Sequence, residues 1–167
     1  MTEEMALSDT ETNAAVADDD ISKMALTFEL QDEMFAVDVR NVHEVIDPLP
    51  ITRVPNADPF APGLINARGT VVAVLDLRHR LGMPAHDRTQ DTRFVVLETA
   101  IGEDRTKFAI VADRVHEVVE ISASAIQAAP DLSMNWPPEF ITGIAQHNGG
   151  LLTLLDASIV FQPEISA

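Results

Sequence analysis

The residues whose types and spacing could support chemistry occur twice. His43-Glu44-Val45-Ile46-Asp47 and His116-Glu117-Val118-Val119-Glu120 each set a histidine beside a carboxylate. A zinc site of the His-Glu-x-x-His kind needs a helix that puts two ligands on one face, with histidine in the fifth place. The fifth residues here are Asp47 and Glu120, and the surroundings are β-rich, so no metal is expected. His79, His86 and His147 lie apart with no ligand spacing. The chain has no cysteine, which removes disulfides, thiolate ligands and thiol nucleophiles. It has no Gly-x-Ser-x-Gly elbow and no phosphate-binding Gly-x-x-x-x-Gly-Lys loop. Asp76 and Asp156 could suggest paired carboxylates. Each, however, ends an apolar run and opens a short helical stretch, which reads as N-capping. No catalytic residue and no cofactor is expected, and the chain reads as a non-enzyme.

The elements that would carry these residues are mostly strands. Met24, Leu26, Phe28 and Leu30 alternate with less apolar residues, as do Phe35, Val37 and Val39, the period of a half-buried strand. Gln31-Asp32-Glu33 between them is a polar hairpin loop. Residues 70–75 are nearly continuously apolar and β-branched, which suits a strand buried on both faces. Phe94 to Leu97, Phe108 to Ala112 and Leu151 to Leu155 read likewise. Two short helices are expected, Leu77 to Leu81 and Asp156 to Phe161, each stopped by a following Gly or Pro. Arg68-Gly69 and Asn148-Gly149-Gly150 read as hairpin turns, where glycine supplies the positive φ.

An internal repeat organises the whole. Phe35 to Ile46 aligns with Phe108 to Val119 at an offset of 73, with six of twelve positions identical. Gly63 to Asp76 aligns with Gly143 to Asp156 at an offset of 80. The seven extra residues fall in a Pro-rich connection, where insertions are tolerated. Each copy runs strand, hairpin, strand, irregular Val-His-Glu-Val segment, Pro-rich connection, hairpin, strand. The expected fold class is all-β: two small five-stranded barrel subdomains side by side, with short helical segments. The expected ordered unit is 23–162, two intertwined subdomains from an internal duplication. Residues 1–22 are expected to be a disordered acidic tail and 163–167 a C-terminal tail.

The 167 residues are 46% apolar, enough for a real core, and carry a net charge of −16. Seven of the acids lie in residues 1–22, which hold no Lys or Arg. Such a chain repels phosphate backbones and anionic lipid, so neither nucleic-acid binding nor membrane insertion is expected. No apolar run reaches the roughly 18 to 20 residues that span a bilayer. Met1-Thr2-Glu3-Glu4 lacks the basic patch and apolar stretch of a secretory signal. A cytoplasmic protein with protein partners is expected.

The pattern Gly63-x-x-Asn66-x-Arg68-Gly69-x-Val71-Val72-x-Val74-Leu75-Asp76-Leu77-Arg78 resembles the signature of CheW and CheW-like domains. The resemblance extends upstream through Phe35-Ala-Val-Asp-Val-x-x-Val42-x-Glu44-Val45. It continues through Val111-Ala-Asp113-Arg-Val115 to Phe140-Ile-Thr-Gly143, and covers about residues 24–162. Ala73 stands where the family commonly has a proline. The resemblance implies two SH3-like five-stranded β-barrels packed around a shared apolar core, and a scaffold with no catalytic role. It implies two partners, the regulatory domain of a CheA-type histidine kinase and the cytoplasmic tips of chemoreceptors (methyl-accepting chemotaxis proteins). It places the protein in the cytoplasm, associated with membrane receptor arrays through those partners.

By the same resemblance, Val42, Glu44, Val45, Gly63, Arg68 and Gly69 form the kinase-binding surface, with Glu44 orienting the Arg68 guanidinium. Glu117 has no arginine opposite it, so that role is not extended to the second copy. Val37, Phe94 and Val118 are the expected receptor-groove residues. Two other readings stay open: a CheW-like adaptor outside motility, and a small-molecule-binding β-barrel protein.

Overall fold

The structure is a computed structural model and describes residues 22–101, 103–128 and 138–161. Most of the acidic N-terminal segment and all of 163–167 lie outside the described residues, and the expectations for the two tails lie there with them. Eleven strands are present among the described residues. The first half has β1 (Ser22–Leu30), β2 (Glu33–Asp38), β3 (Val42–Ile46), β4 (Thr52–Arg53), β5 (Gly63–Ala67) and β6 (Thr70–Leu75). The second has β7 (Arg93–Ile101), β8 (Asp104–Ala112), β9 (Arg114–Ser122), β10 (Ile141–His147) and β11 (Gly150–Leu155). One-turn helices α1 (Leu77–Arg80) and α2 (Ala157–Val160) follow β6 and β11. Their N-caps are Asp76, which accepts from His79 N, and Asp156, which accepts from Ser158 N.

The fold class is as expected, all-β in two sheets, but each sheet borrows from both halves of the chain. One sheet has the order β10-β11-β2-β1-β9 and the other β3-β7-β8-β6-β5-β4. Hairpin β1–β2 therefore joins the strands of the second repeat, and hairpin β7–β8 joins those of the first. The exchange is symmetric in register. Ala73 of β6 lies parallel to Phe108 of β8, and Thr153 of β11 lies parallel to Phe35 of β2. One sheet has a sixth strand where five were expected, because two-residue β4 pairs with β5. In the second repeat the equivalent contact is a single bridge, Gln127 to Ile144.

The exchanged hairpins are apolar on both faces because both faces are covered. Phe94, Val96 and Ala109 point into a cluster with Ile65, Val72 and Val74 inside one sheet. Ala25 and Ala36 do the same with Leu152 and Leu154 inside the other. Their opposite faces (Leu26, Phe28, Phe35, Val37 from one hairpin; Val95, Leu97, Phe108, Ile110 from the other) meet in one central core. Fully burying each large side chain there is worth about 1.5–3 kcal/mol.

Two arginines of α1 tie the halves further. Arg78 bonds the Asp113 carboxylate and donates to Gln31 Oε1 at 2.9 Å, holding the β1–β2 turn against the β8–β9 junction. Arg80 lies 3.6 Å over the Phe60 ring and 5.7 Å from the Phe140 ring, and donates to Val160 O at 2.7 Å. Phe60 and Phe140 are equivalents at the offset of 80, so Arg80 sits between matching rings of the two repeats.

The Val-His-Glu-Val segments, expected to be irregular, are strands. Each carries or faces a bulge: the register shifts between Val42 and Glu44 in β3, and β1 shifts against β9 between Leu26 and Phe28. A bulge breaks the simple alternation that sequence period detects. Gly63 marks a close approach. A Cβ there would lie 2.5 Å from Ile51 Cγ2 and 2.7 Å from Thr52 O. Gly143 faces Gln127 O in the same way, at 2.9 Å.

Two stability outcomes follow. Arg80→Ala should lower the unfolding free energy in urea by about 1–3 kcal/mol, from the lost ring contacts and hydrogen bond. Arg80→Lys should recover only part; an alanine variant within about 0.5 kcal/mol of the parent would remove Arg80 from the interlock. Gly63→Ala should cost about 1–3 kcal/mol by the same measurement, because its neighbours must move. No loss would show that Ile51 and β4 yield freely.

Candidate functional site

The β5–β6 hairpin delivers Arg68 to Glu44. Asn66 Oδ1 accepts from Gly69 N at 2.8 Å, and the two turn residues Arg68 and Gly69 have φ of 56° and 86°. Positive φ at both central residues is the tight hairpin turn whose twist matches the strands. The second repeat builds the same turn from Asn148 and Gly149, at 51° and 79°. Asparagine is among the non-glycine residues that best tolerate this region, whereas arginine has no such advantage. Arg68 therefore holds a strained position that turn chemistry alone would not give it.

From that turn Arg68 Nη2 reaches Glu44 Oε1 at 3.3 Å. The expected pairing is present, through this single contact. The Arg68 side chain is 78% exposed and Glu44 23%. Such a pair contributes about 0–1 kcal/mol to stability, so it leaves most of the guanidinium free to meet another molecule. His43, Glu44, Arg68, Thr70 and Lys107 line a cleft of about 170 Å³ here.

The remaining expected residues separate by burial. Val45 is 40% exposed, whereas Val42 is half-buried against the central core. Gly69 sits in the open at the turn. Gly63 is buried at its backbone contact with Thr52, so it shapes the sheet and offers no surface to a partner. The groove residues are not brought together. Val37 is buried in the central core, Phe94 is buried in a separate cluster, and Val118 is exposed on β9. In the free chain neither Val37 nor Phe94 has exposed side-chain area; both pack in cores. Val37 forms part of the wall of a cleft of about 310 Å³ rimmed by Lys23, Asp38 and Arg40. Arg40 hydrogen-bonds Asp38 there and holds its carboxyl below the usual range, against the opposing effect of burial.

Three features escaped the sequence reading. Val71 and Leu151, placed in doubly buried strands, are 65% and 63% exposed. Strand β6 gains its β8 neighbour only from Ala73, so Val71 has β5 alone beside it. The third is the second cleft, of about 340 Å³, which repeats the geometry of the first. Glu117 meets His147 Nε2 at 3.5 Å, from the residue just before the turn, so the second glutamate has a partner after all. Buried Thr27 anchors this strand: its hydroxyl donates to Glu117 O at 2.7 Å and accepts from Glu117 N at 3.1 Å. The offset of 80 does align His147 with Ala67, and that was the available signal.

Among the described residues no group of three or more His, Asp or Glu side chains is arranged to hold a metal, and no helix is long and apolar enough to cross a membrane. The model of the CheW-like domain matches residues 24–164. The chain is 29% identical over 153 residues to a chemotaxis protein CheW of Rhizobium meliloti, covering 92% of this chain and 96% of that one. It is 29% identical over 141 residues to a chemotaxis protein CheW of Bacillus subtilis (84% and 88% covered), and 32% over 129 residues to one of Helicobacter pylori (77% and 74%). The crystal structure of the scaffolding protein TtCheW from Thermoanaerobacter tengcongensis superposes with a TM-score of 0.74 at 29% identity, covering 86% of this chain and 90% of that one. A family match across nearly the whole described chain, with two interlocked β subdomains beneath it, establishes that the chain belongs to the CheW-like family of chemotaxis adaptors.

Proposed function

We propose that this adaptor couples a CheA-type histidine kinase to the cytoplasmic tips of chemoreceptors, acting in the cytoplasm as a scaffold with no catalytic step of its own. The kinase's regulatory domain docks on the first subdomain, at the surface built from Glu44, Val45, Arg68 and Gly69. The observation that carries this reading is the backbone of Arg68. A left-handed arginine costs about 1 kcal/mol or more, and its exposed ion pair returns no more than that. Asn148 makes the same turn without the strain. The residue is therefore better explained by what it meets outside the chain than by what it does inside it. Glu44 keeps the guanidinium aimed, which lowers the cost of ordering it on binding.

Calorimetric titration of the full chain with the purified regulatory domain of its CheA-type kinase tests this directly. Saturable one-to-one binding is expected. Arg68→Glu should weaken it at least tenfold, about 1.4 kcal/mol, while the thermal unfolding midpoint stays where it was. No binding by the parent protein, or unchanged affinity in a folded Arg68→Glu, would overturn the assignment. Arg68→Asn separates strain from recognition. It should leave folding stability unchanged or raise it by up to about 1 kcal/mol, yet still weaken binding. A loss of more than about 1 kcal/mol in urea unfolding would mean that Arg68 supports the fold itself.

A further inference from the structure

We propose that Lys107 is a second recognition cation of the first cleft, and that Arg68 and Lys107 together receive a carboxylate carried by the docked partner. The inference rests on the kinase-docking reading above and extends it to the chemistry of the partner's contact. Lys107 lies on β8 and lines the same cleft as Glu44 and Arg68. Directly across the ladder from it is Glu98 of β7. That carboxylate is already taken, because Arg105 Nε bonds Glu98 Oε2 at 3.2 Å. Among the described residues Lys107 makes no ion pair, and it is exposed.

The charges facing this surface can be counted residue by residue. Glu44 and Glu98 are answered by Arg68, Arg105 and Lys107. A net positive cleft is unusual on a chain of charge −16 with only eleven Lys and Arg in all. Its electrostatic complement is an acidic side chain, and a carboxylate between two cations makes charge-assisted hydrogen bonds of the stronger kind.

The second cleft is the internal control. At the offset of 73 Lys107 corresponds to Met34, and at the offset of 80 Arg68 corresponds to Asn148; both line the second cleft. The same turn and the same ladder form there without either cation. The fold does not need Lys107 or Arg68, so their coincidence at one cleft is a property of that surface.

Titration against the kinase regulatory domain at two salt concentrations reads the proposal. Lys107→Met installs the residue of the second cleft and should weaken binding about threefold; Lys107→Glu should weaken it about tenfold. Both variants should unfold at the parent's midpoint and show a shallower salt dependence. Combined with Arg68→Glu, Lys107→Glu should cost less than the product of the two single effects, because both cations face one carboxylate. If Arg68→Glu weakens binding while both Lys107 variants bind like the parent, the Lys107 inference is wrong and the docking reading stands. If the parent fails to bind, or none of the variants differs from it, both fall together.

Discussion

Two hairpins with apolar residues on both faces set the architecture. A hairpin of this kind cannot stand at the surface of a sheet; it needs cover above and below. Here β1–β2 and β7–β8 each close the sheet of the opposite repeat with one face and meet each other with the other. Each repeat's hairpin is covered by strands of the other repeat, so neither subdomain has a complete sheet of its own, in spite of the separate inner clusters. The cost is kinetic. Pairings such as Leu152 with Met34 join distant parts of the chain, and loop closure must precede their reward.

Symmetry in the scaffold then makes asymmetry in the surface informative. Equivalent turns, equivalent helix caps and equivalent glycine approaches recur in both halves with matching geometry. Where the two halves differ, the fold is not the reason. Arg68 against Asn148 and Lys107 against Met34 are differences of that kind, and both sit at one cleft. Glu117 with His147 is another, and it sets an imidazole 3.5 Å from the glutamate of the second cleft where the first has a guanidinium. A duplicated fold thus supplies its own reference state for judging which side chains are there for packing.

Much of this was legible in the sequence because local signals carried it. The repeat at offsets of 73 and 80, the Arg68-Gly69 and Asn148-Gly149 turns, and the aspartate caps at 76 and 156 all depend on neighbours within a few residues. The pairing of Arg68 with Glu44 came from the family resemblance. What failed depended on distant partners. Period says that a strand has two apolar faces, but not which strand lies beside it. Val71 and Leu151 were therefore read as buried, although their sheet neighbours stop short of them. The burial of Val37 and Phe94 was likewise not legible, because hairpin exchange packs both against strands of the other repeat. The strands through Glu44 and Glu117 were read as irregular because a bulge breaks the alternation, and His147 was missed because the glutamate's partner had shifted by one residue along the hairpin.

The position of the first cleft explains how a weak-looking surface can serve a scaffold. An exposed ion pair and a few valines would contribute little on a mobile loop, since ordering them would consume most of what they gain. Here Glu44 is on β3 and Lys107 on β8, both hydrogen-bonded to β7. The residue after Lys107, Phe108, is fully inside the central core and tilted against Phe161 of the second repeat, with ring centroids 5.0 Å apart. Glu44 and Lys107 thus stand on strands anchored in the sheet. Arg68 is set on a turn instead, and its one ion pair among the described residues is with Glu44. In the docking proposed above, placement on strands fixed by shared burial, with a single ion pair on the one exposed turn residue, is what lets a modest set of contacts be specific.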